Sequence, residues 1–383
     1  MFAASALVPL WDRAAEWAHR LAMAREARAF LYLSTFYVEY DAYGAVLLDE
    51  LIAAQRRGVA VNLLIDAFGQ RLGGILMTDA GRASLDAALR ELQRAGGIVT
   101  HYRPAWLMQR QLGGGQHIKI QVSDRGDALF GSSNVTRSSF EGWNEYSVAL
   151  RGPIVRPLLE SYRDIGGTVR DADLRALDEV AETHAADLAL EYWVCNPNTL
   201  QGACGPLGWR GPNLVTDRLL THITAARRSI VMTSFYFKPV EPLLAAIIAA
   251  VSRGVHVEVH HSHRDALPAT ELAWIAAAAS YDRLLRAGVQ VYENRRGEHS
   301  KVVLIDDDWV AFGSYNFEHA AHDRLAEAML VSRDVRATAP ASAIFEELRQ
   351  DPDNMLVTPA MLRDLPIRLK AKRALLGPFK RWM

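Results

Sequence analysis

Six polar residues occur twice in this chain of 383 residues, and each second copy lies 182 positions after the first. The pairs are His117 and His299, Lys119 and Lys301, Asp124 and Asp306, Ser132 and Ser314, Asn134 and Asn316, and Glu145 and Glu327. A constant offset across chemically different residues indicates an internal repeat. The repeat constrains the fold strongly, because both copies are expected to build the same supersecondary unit.

The surroundings of these pairs repeat as well. The stretch "ARAFLYLSTFYVE" resembles "ARRSIVMTSFYFK", and an alanine- and leucine-rich stretch ending in "RRGVAV" or "SRGVHV" follows each. The glycine is typical of a helix C-terminus, and Val-x-Val is typical of the next strand. The β-α-β-α order of each half predicts an α/β sheet with helices on both faces. Residues 69–85 have no sequence counterpart in the second half.

The length suits two domains or one duplicated unit. We predict a first half at 1–165, a helical and irregular linker at 166–214, a second half at 215–335 and a helical basic tail at 336–383. The two cysteines, Cys195 and Cys204, fall in a Pro- and Gly-rich stretch. We expect both thiols to be reduced, while a disulfide between them stays open.

The repeated residues are predicted to gather on one side of each sheet. Residues i and i+2 of a strand share a face, so His117 and Lys119 project together while Ile118 and Ile120 face the core. The segments "SDRGD" and "IDDDW" are turn-like and predict hairpins. On each returning strand the Ser and the Asn share a face, and the Glu lies on a third apolar run. Each half should therefore hold a cluster of His, Lys, Ser, Asn and Glu.

This set of side chains suits cleavage of a phosphodiester. A neutral imidazole is a nucleophile when its other nitrogen donates to a carboxylate, a role that Glu145 and Glu327 can fill. Lysines and Asn amides can bind phosphate oxygens where negative charge develops. No carboxylate cluster with metal-binding spacing accompanies the motifs. We therefore predict neither a metal nor any other cofactor.

The pattern His-x-Lys-x4-Asp followed by Gly-Ser-x-Asn resembles the phospholipase D superfamily, and its layout looks most like that of the bacterial cardiolipin synthases. "RGV" before each motif and "LRGPIV" after the first support the second likeness. The resemblance implies two α/β/α sandwich halves packed around one shared active site. It also implies that His117 attacks phosphorus to form a phosphohistidine, while His299 protonates the leaving alcohol and then activates the incoming one.

The resemblance assigns the remaining repeated residues as well. Glu145 and Glu327 should orient the histidines, and Asp124 and Asp306 should hold the hairpins together. The other residues are expected to act in catalysis (Lys119, Lys301, Asn134 and Asn316) or in substrate binding (Ser132 and Ser314).

The sequence departs from the family pattern in ways that affect the acceptor. Ile118 stands where many cardiolipin synthases carry a basic residue, and the Arg-Ser pair expected after Gly-Ser-x-Asn is missing from the second half. The leading hypothesis is a phosphatidyl transferase that makes cardiolipin from phosphatidylglycerol and a second phospholipid. A phospholipase D that uses water and a nuclease or nucleic-acid phosphodiesterase are the alternatives. The net charge of −1 argues against nucleic acid.

We expect a cytoplasmic protein in peripheral contact with a membrane. No apolar run reaches about 18 residues, the length of a membrane-spanning helix, and the N-terminus lacks the basic start of a signal peptide. The tail "IRLKAKRALLGPFKRWM" mixes basic and apolar residues that can lie on an anionic bilayer.

Two further segments and one further residue, Glu298, allow specific predictions. "VHHSHRD" carries His260, His261 and His263 and is expected to be a solvated loop. The glycines at 113–115 are interpreted as a flexible, uncharged approach to the nucleophile, and Glu298 as a charge that favours the protonated form of His299.

Overall fold

Two mixed β-sheets, one for each copy of the repeat, form the centre of the molecule. They are seen in a computed structural model that describes residues 1–183, 185–197, 212–267, 271–377 and 379. Cys204 lies outside the described residues, whereas Cys195 is a buried free thiol.

The elements of the N-terminal part are, in chain order, β1 (Phe2–Ala4), β2 (Ala6–Leu10), α1 (Arg13–Glu26), β3 (Phe30–Thr35), α2 (Ala42–Arg56), β4 (Ala60–Asp66), α3 (Ala67–Leu76), α4 (Asp79–Arg94), β5 (Ile98–Tyr102), α5 (Leu107–Gln111), β6 (Gly115–Gln116), β7 (Lys119–Ser123), β8 (Asp127–Gly131), β9 (Ser147–Arg151), α6 (Val155–Asp164) and α7 (Asp171–Ala181). A π-helical turn occupies residues 138–142.

The C-terminal part continues with β10 (Leu188–Cys195), α8 (Leu214–Ala225), β11 (Ser229–Ser234), α9 (Glu241–Ser252), β12 (His256–Ser262), α10 (Leu272–Ala278), α11 (Tyr281–Ala287), β13 (Gln290–Asn294), β14 (Val302–Ile305), β15 (Trp309–Gly313), α12 (His319–Asp323), β16 (Leu325–Ser332), α13 (Val335–Gln350), β17 (Asn354–Leu356), α14 (Pro359–Arg363) and α15 (Ile367–Leu376).

The two sheets have the same core topology. The first has the strand order β2-β9-β8-β7-β3-β4-β5, and the second has β1-β10-β16-β15-β14-β11-β12-β13-β17. In each sheet three parallel strands are followed by an antiparallel hairpin, β7–β8 or β14–β15. The duplication, the α/β class and the two predicted hairpins are therefore confirmed.

Local sequence signals set the ends of the helix between the first two parallel strands. The Asp41 carboxylate accepts hydrogen bonds from the backbone N–H groups of Tyr43 and Gly44 and caps α2. Gly58 after α2 and Gly254 after α9 both have positive φ, at 94° and 88°. A left-handed residue ends each helix and turns the chain directly into the next parallel strand.

The two sheets share one hydrophobic core. Buried side chains from both sheets and from the two matching helices α6 and α13 form a single cluster, which includes Ile120, Phe130, Val148, Leu158, Val302, Phe312, Leu330 and Phe345. Separate clusters cover the outer faces, with α1, α2 and α4 on the first sheet and α8 to α11 on the second. The shared cluster places the helices on both faces of each sheet and joins the halves.

The structure corrects three details of the segments between and after the repeats. The predicted irregular linker contains β10, which pairs with β16 as β2 pairs with β9. The predicted helical tail contains β17, which pairs with β13. Residues 69–85 form α3 and part of α4, and the second half has two helices, α10 and α11, at the same point. Short strands and unlike helices leave little periodic signal in a sequence.

Candidate active site

His117 lies where the chain passes from one sheet to the other. β6 runs parallel to β16 in the second sheet, whereas β7, three residues later, belongs to the first sheet. His117 falls between them, outside regular strand structure, and His299 similarly precedes β14. The prediction that His and Lys lie on one continuous strand is wrong, because a period of two cannot show a change of sheet.

The carboxylate that contacts each histidine comes from the opposite half. Nδ1 of His117 lies 3.1 Å from Oε1 of Glu327, and Nδ1 of His299 lies 2.7 Å from Oε2 of Glu145. Backbone hydrogen bonds also connect each histidine to the opposite half. The N–H of His117 donates to the carbonyl of Ala326, and the N–H of His299 donates to that of Asn144, both at 2.8 Å. The clusters predicted for the two halves therefore meet in one joint cluster, as the resemblance implied.

The two His–Glu contacts differ in their electrostatics. Burial opposes ionisation of Glu145, but the neighbouring His299 and Lys301 outweigh it and lower its pKa to about 2. Burial raises the pKa of Glu327 to about 8, although Lys119 and Lys301 counteract the rise. Burial also lowers the pKa of His299 to about 3 and that of His117 well below its usual value. The His299–Glu145 pair thus carries a carboxylate at neutral pH.

Both motif lysines are buried beneath the histidines. Lys119 is 2% exposed and Lys301 is 1% exposed. Each ammonium donates to the backbone carbonyl of the histidine of its own motif, for Lys119 at 2.8 Å. Burial and mutual repulsion lower the pKa of Lys119 to about 7, and burial lowers that of Lys301 to about 8. Two buried cations at one site favour an anionic substrate.

Aromatic rings that the sequence analysis missed hold the imidazoles. Phe36 packs edge-on against His117 and Phe235 against His299, with ring centroids 4.7 and 4.6 Å apart. Trp143 stacks on His299 at 4.9 Å. The repeated "FY" at the end of the first strand of each half was the available signal for the two phenylalanines. Leu325 stands 182 positions after Trp143, so this third contact breaks the repeat.

The motif serines lie behind the site. The hydroxyl of Ser132 receives a hydrogen bond from the N–H of Tyr146, and that of Ser314 receives one from the N–H of Ala328. Both serines are fully buried and tie the end of the hairpin to the next strand. The geometry favours this structural contact over the predicted substrate contact. Asn134 and Asn316, in contrast, line the central cavity with both histidines.

The motif aspartates lie at the far ends of the hairpins. Asp124 accepts a hydrogen bond from the N–H of Arg28 at 2.9 Å. Asp306, with a positive φ of 54°, accepts hydrogen bonds from the backbone N–H groups that begin β11, including Ser229 at 3.0 Å. These bonds tie the first hairpin turn to the start of β3 and the second hairpin turn to the start of β11.

A cavity of about 400 Å³ opens above the two histidines. Its walls are mostly apolar and come from both halves, including Phe68, Leu72, Leu76, Leu112, Leu267 and Leu272. It also contains an ion pair, because Nζ of Lys238 lies 3.2 Å from Oε2 of Glu318. In the second half, Lys238 takes the position that Glu39 holds in "FYVE" of the first half. This difference between the two copies was visible in the sequence but was not used.

The glycines before His117 serve close packing. A side chain at Gly115 would place Cβ 2.4 Å from a carboxylate oxygen of Asp66, and one at Gly113 would meet the ring of Phe68 at 2.8 Å. The interpretation as a flexible approach is therefore wrong. Asp66 also accepts the N–H of Gln116 and so fixes β6 from below.

Other interpretations of single residues change as well. His260, His261 and His263 are buried, so the expected solvated loop is wrong. His261 bonds the hydroxyl of Tyr281, and His260 bonds Asn354. Glu298 bonds Asn144 and Ser300, while burial raises its pKa to about 7. These contacts give Glu298 no direct bond to the His299 ring.

Within residues 1–183, 185–197, 212–267, 271–377 and 379, no three His, Cys, Asp or Glu side chains are arranged to hold a metal ion. In the same part of the chain no helix combines the length and apolarity needed to cross a bilayer.

Comparisons with known proteins identify relatives of the chain. It is 28% identical over 327 residues to cardiolipin synthase B of Escherichia coli (strain K12), covering 81% of this chain and 72% of that protein. It is 27% identical over 321 residues to cardiolipin synthase A of Pseudomonas putida (strain GB-1), covering 81% and 61%. The solved phosphatidylserine synthase of Haemophilus influenzae Rd KW20 has the same fold, with a TM-score of 0.73 and 16% identity over 100% of this chain and 95% of that one.

A family model described as the PLD-like domain of cardiolipin synthase matches residues 21–164 and 219–349. The two matched segments contain the two copies of the repeat, each with its histidine, lysine and glutamate. The chain therefore belongs to the cardiolipin synthase family of PLD-like domains and is an enzyme of the phospholipase D superfamily, as its motifs predicted.

Proposed function

We propose that the protein transfers a phosphatidyl group between alcohols through a covalent phosphohistidine, with phosphatidylglycerol or a similar phospholipid as donor. The observation that carries the proposal is the exchange of carboxylates between the halves. Each imidazole is held at Nδ1, which leaves Nε2 of both rings for the substrate. Two imidazoles beside one cavity supply the nucleophile and the general acid of a two-step displacement.

In the first step Nε2 of His117 forms a bond to phosphorus, and the bond from phosphorus to the leaving alcohol breaks. His299 enters this step as the imidazolium, because the phosphate anion of the bound donor favours its charged form, and it gives its Nε2 proton to the leaving oxygen. In the second step His299 takes the proton of the acceptor hydroxyl, the acceptor oxygen bonds to phosphorus, and the phosphorus–nitrogen bond breaks. Lys119 and Lys301 balance the charge on the phosphate, and Asn134 and Asn316 lie within the same cavity wall.

The assignment of acceptor follows from the cavity. Its apolar walls suit acyl chains and keep water away from the intermediate. We therefore propose a second phospholipid as acceptor, giving cardiolipin, with water as the less favoured one. The donor is a membrane lipid, so the proposal includes a peripheral location on the cytoplasmic side of the membrane. The halves 1–165 and 215–335 carry the chemistry, and the segments 166–214 and 336–383 support them.

The test is product analysis by mass spectrometry after incubation with phosphatidylglycerol. We expect cardiolipin and glycerol in wild type. Phosphatidic acid as the sole lipid product would make the enzyme a hydrolase, and cleavage of single-stranded DNA in a parallel incubation without lipid turnover would make it a nuclease. Activity should persist in EDTA, since the proposed steps use no metal ion.

The two histidines should behave as one unit. His117→Ala and His299→Ala should each abolish turnover, and the double variant should be hardly worse than either single one. A labelled phospholipid, quenched in base, should leave its label on the peptide that contains His117. Label on the peptide that contains His299 would reverse the two roles, and near-normal activity of either single variant would exclude the shared site.

A further inference from the structure

Large apolar side chains are exposed around the mouth of the cavity. Ile75 on α3 is 68% exposed, and Trp106 and Leu107 at the start of α5 are 48% and 64% exposed. Leu72 on α3 and Leu272 on α10, both 39% exposed, belong to the cavity wall itself. We call α3 and residues 102–111 the rim. Several exposed apolar side chains beside a binding cavity are typical of an interaction surface.

Helix α3 presents different chemistry on its two faces. Its inner face lines the cavity with Phe68, Leu72 and Leu76. Its outer face borders two surface grooves, of about 520 and 570 Å³, that share Arg71 and Arg103. Arg82 and Arg110 complete the cationic lining, and among the residues that the structure describes no carboxylate lines either groove. The rim is therefore cationic on its outer side and apolar along its edge.

The opposite side of the mouth has a similar composition. Helix α15 packs on α10, and Lys372 of α15 pairs with Glu271, the neighbour of Leu272 in the cavity wall. Ile367 and Leu375 of α15 are 84% and 71% exposed. The basic tail predicted to contact a membrane thus begins beside the same mouth.

We propose that the rim docks on an anionic phospholipid bilayer, with Ile75, Trp106 and Leu107 in the interface and Arg71 and Arg103 on lipid phosphates. This inference rests on the proposed function, which requires a lipid to enter the cavity. A bilayer is the expected occupant because its charge complements that of the rim and because the rim is continuous with the cavity. The arginine grooves fit phosphate anions, the apolar edge fits the acyl boundary, and the inner face of α3 leads directly into the cavity.

The binding test uses flotation with vesicles of phosphatidylglycerol and phosphatidylcholine in equal amounts, against vesicles of phosphatidylcholine alone. Wild type should bind the anionic vesicles. Arg71→Gln with Arg103→Gln should weaken binding about 25-fold, about fivefold for each cation removed. Trp106→Ala with Leu107→Ala should weaken binding to both kinds of vesicle. The matched control is Val335→Ala, because Val335 is 69% exposed but follows the end of β16 that is far from the site.

A second measurement separates this surface from the proposed function. With short-chain phosphatidylglycerol below its micelle concentration, the rim variants should turn over as wild type does, whereas on vesicles their turnover should fall with their binding. Unchanged flotation of both rim variants would overturn the docking surface. If wild type binds vesicles but does not turn over either substrate, the proposed function fails instead. A wild-type dimer in sedimentation that the rim substitutions dissociate would assign the surface to a second copy of the chain.

Discussion

Glu327 lies 3.1 Å from Nδ1 of His117 although the two residues are 210 positions apart. Glu145 makes the equivalent contact with His299, but its pKa is lowered to about 2 whereas burial raises that of Glu327 to about 8. At pH 7 a glutamine therefore removes a full charge at 145, whereas at 327 it replaces a group whose charged form is disfavoured by burial. A difference in charge between two otherwise matched contacts should be measurable in the rate.

We predict that Glu145→Gln lowers kcat by about 10³- to 10⁴-fold, the scale on which a catalytic triad responds to loss of its carboxylate. Glu327→Gln should cost at least about tenfold less, since burial already disfavours the charged form of Glu327 that the amide removes. The measurement is kcat at pH 7 on saturating short-chain phospholipid. Equal losses in the two variants would show that both glutamates are ionised.

The buried lysines predict a pH dependence for anion binding. Their pKa values of about 7 and about 8 mean that both ammonium groups lose protons as the pH rises through this range. Affinity for an anion should be full at about pH 6 and at least about tenfold lower at pH 9, because charge-assisted hydrogen bonds are lost. Sulfate is the suitable probe for calorimetry, since its own charge is constant over the range.

Lys301→Met is the control for this prediction, because it removes one cation while keeping a side chain of similar length. It should weaken sulfate binding at pH 6 and leave a single titration, which moves above pH 7 because the repulsion from Lys301 on Lys119 is gone. An affinity for sulfate that stays constant from pH 6 to pH 9 in wild type would contradict the prediction.

At the level of elements, the short strand β6 depends on a glycine. A Cβ at Gly115 would lie 2.4 Å from Asp66, which also binds the N–H of Gln116. We predict that Gly115→Ala lowers the free energy of unfolding by about 1–3 kcal/mol, the usual cost of overpacking, and lowers kcat by displacing His117. Urea unfolding with Gly142→Ala as control tests this, because a Cβ at Gly142 meets no atom within 4 Å. Similar midpoints for the two variants would contradict it.

On the scale of the whole molecule, the halves share a core and should unfold together. Phe130 and Phe312 come from different sheets but belong to one cluster, and both are fully buried. We predict that Phe312→Ala destabilises the protein by about 3–5 kcal/mol and that amides of both halves exchange hydrogen in one cooperative step. Residues 1–165 alone should stay unfolded by circular dichroism. If amides of the first half stay protected from exchange in Phe312→Ala while those of the second half do not, the halves unfold independently.

The sequence by itself determined the repeat, the order of strands and helices within it, and the residues that we propose to carry the chemistry. These features are local or periodic. A hairpin turn, a glycine after a helix or a His-x-Lys pair is visible within a few positions. The constant offset of 182 then showed, from the sequence alone, that two such patterns are copies of one another. For the same reason the apolar residues Ile118 and Ile120 were placed correctly in the core.

Only the tertiary structure decided which residues meet. Positions far apart in the chain meet in four places. Glu145 and Glu327 each contact the histidine of the other half, the chain changes sheet at His117, Trp143 stacks on His299, and β10 pairs with β16. Such contacts follow from how the two sheets pack, and a repeat of identical motifs is equally compatible with two separate sites. The burial that shifts the pKa values of the lysines and glutamates likewise arises only when both halves close over them.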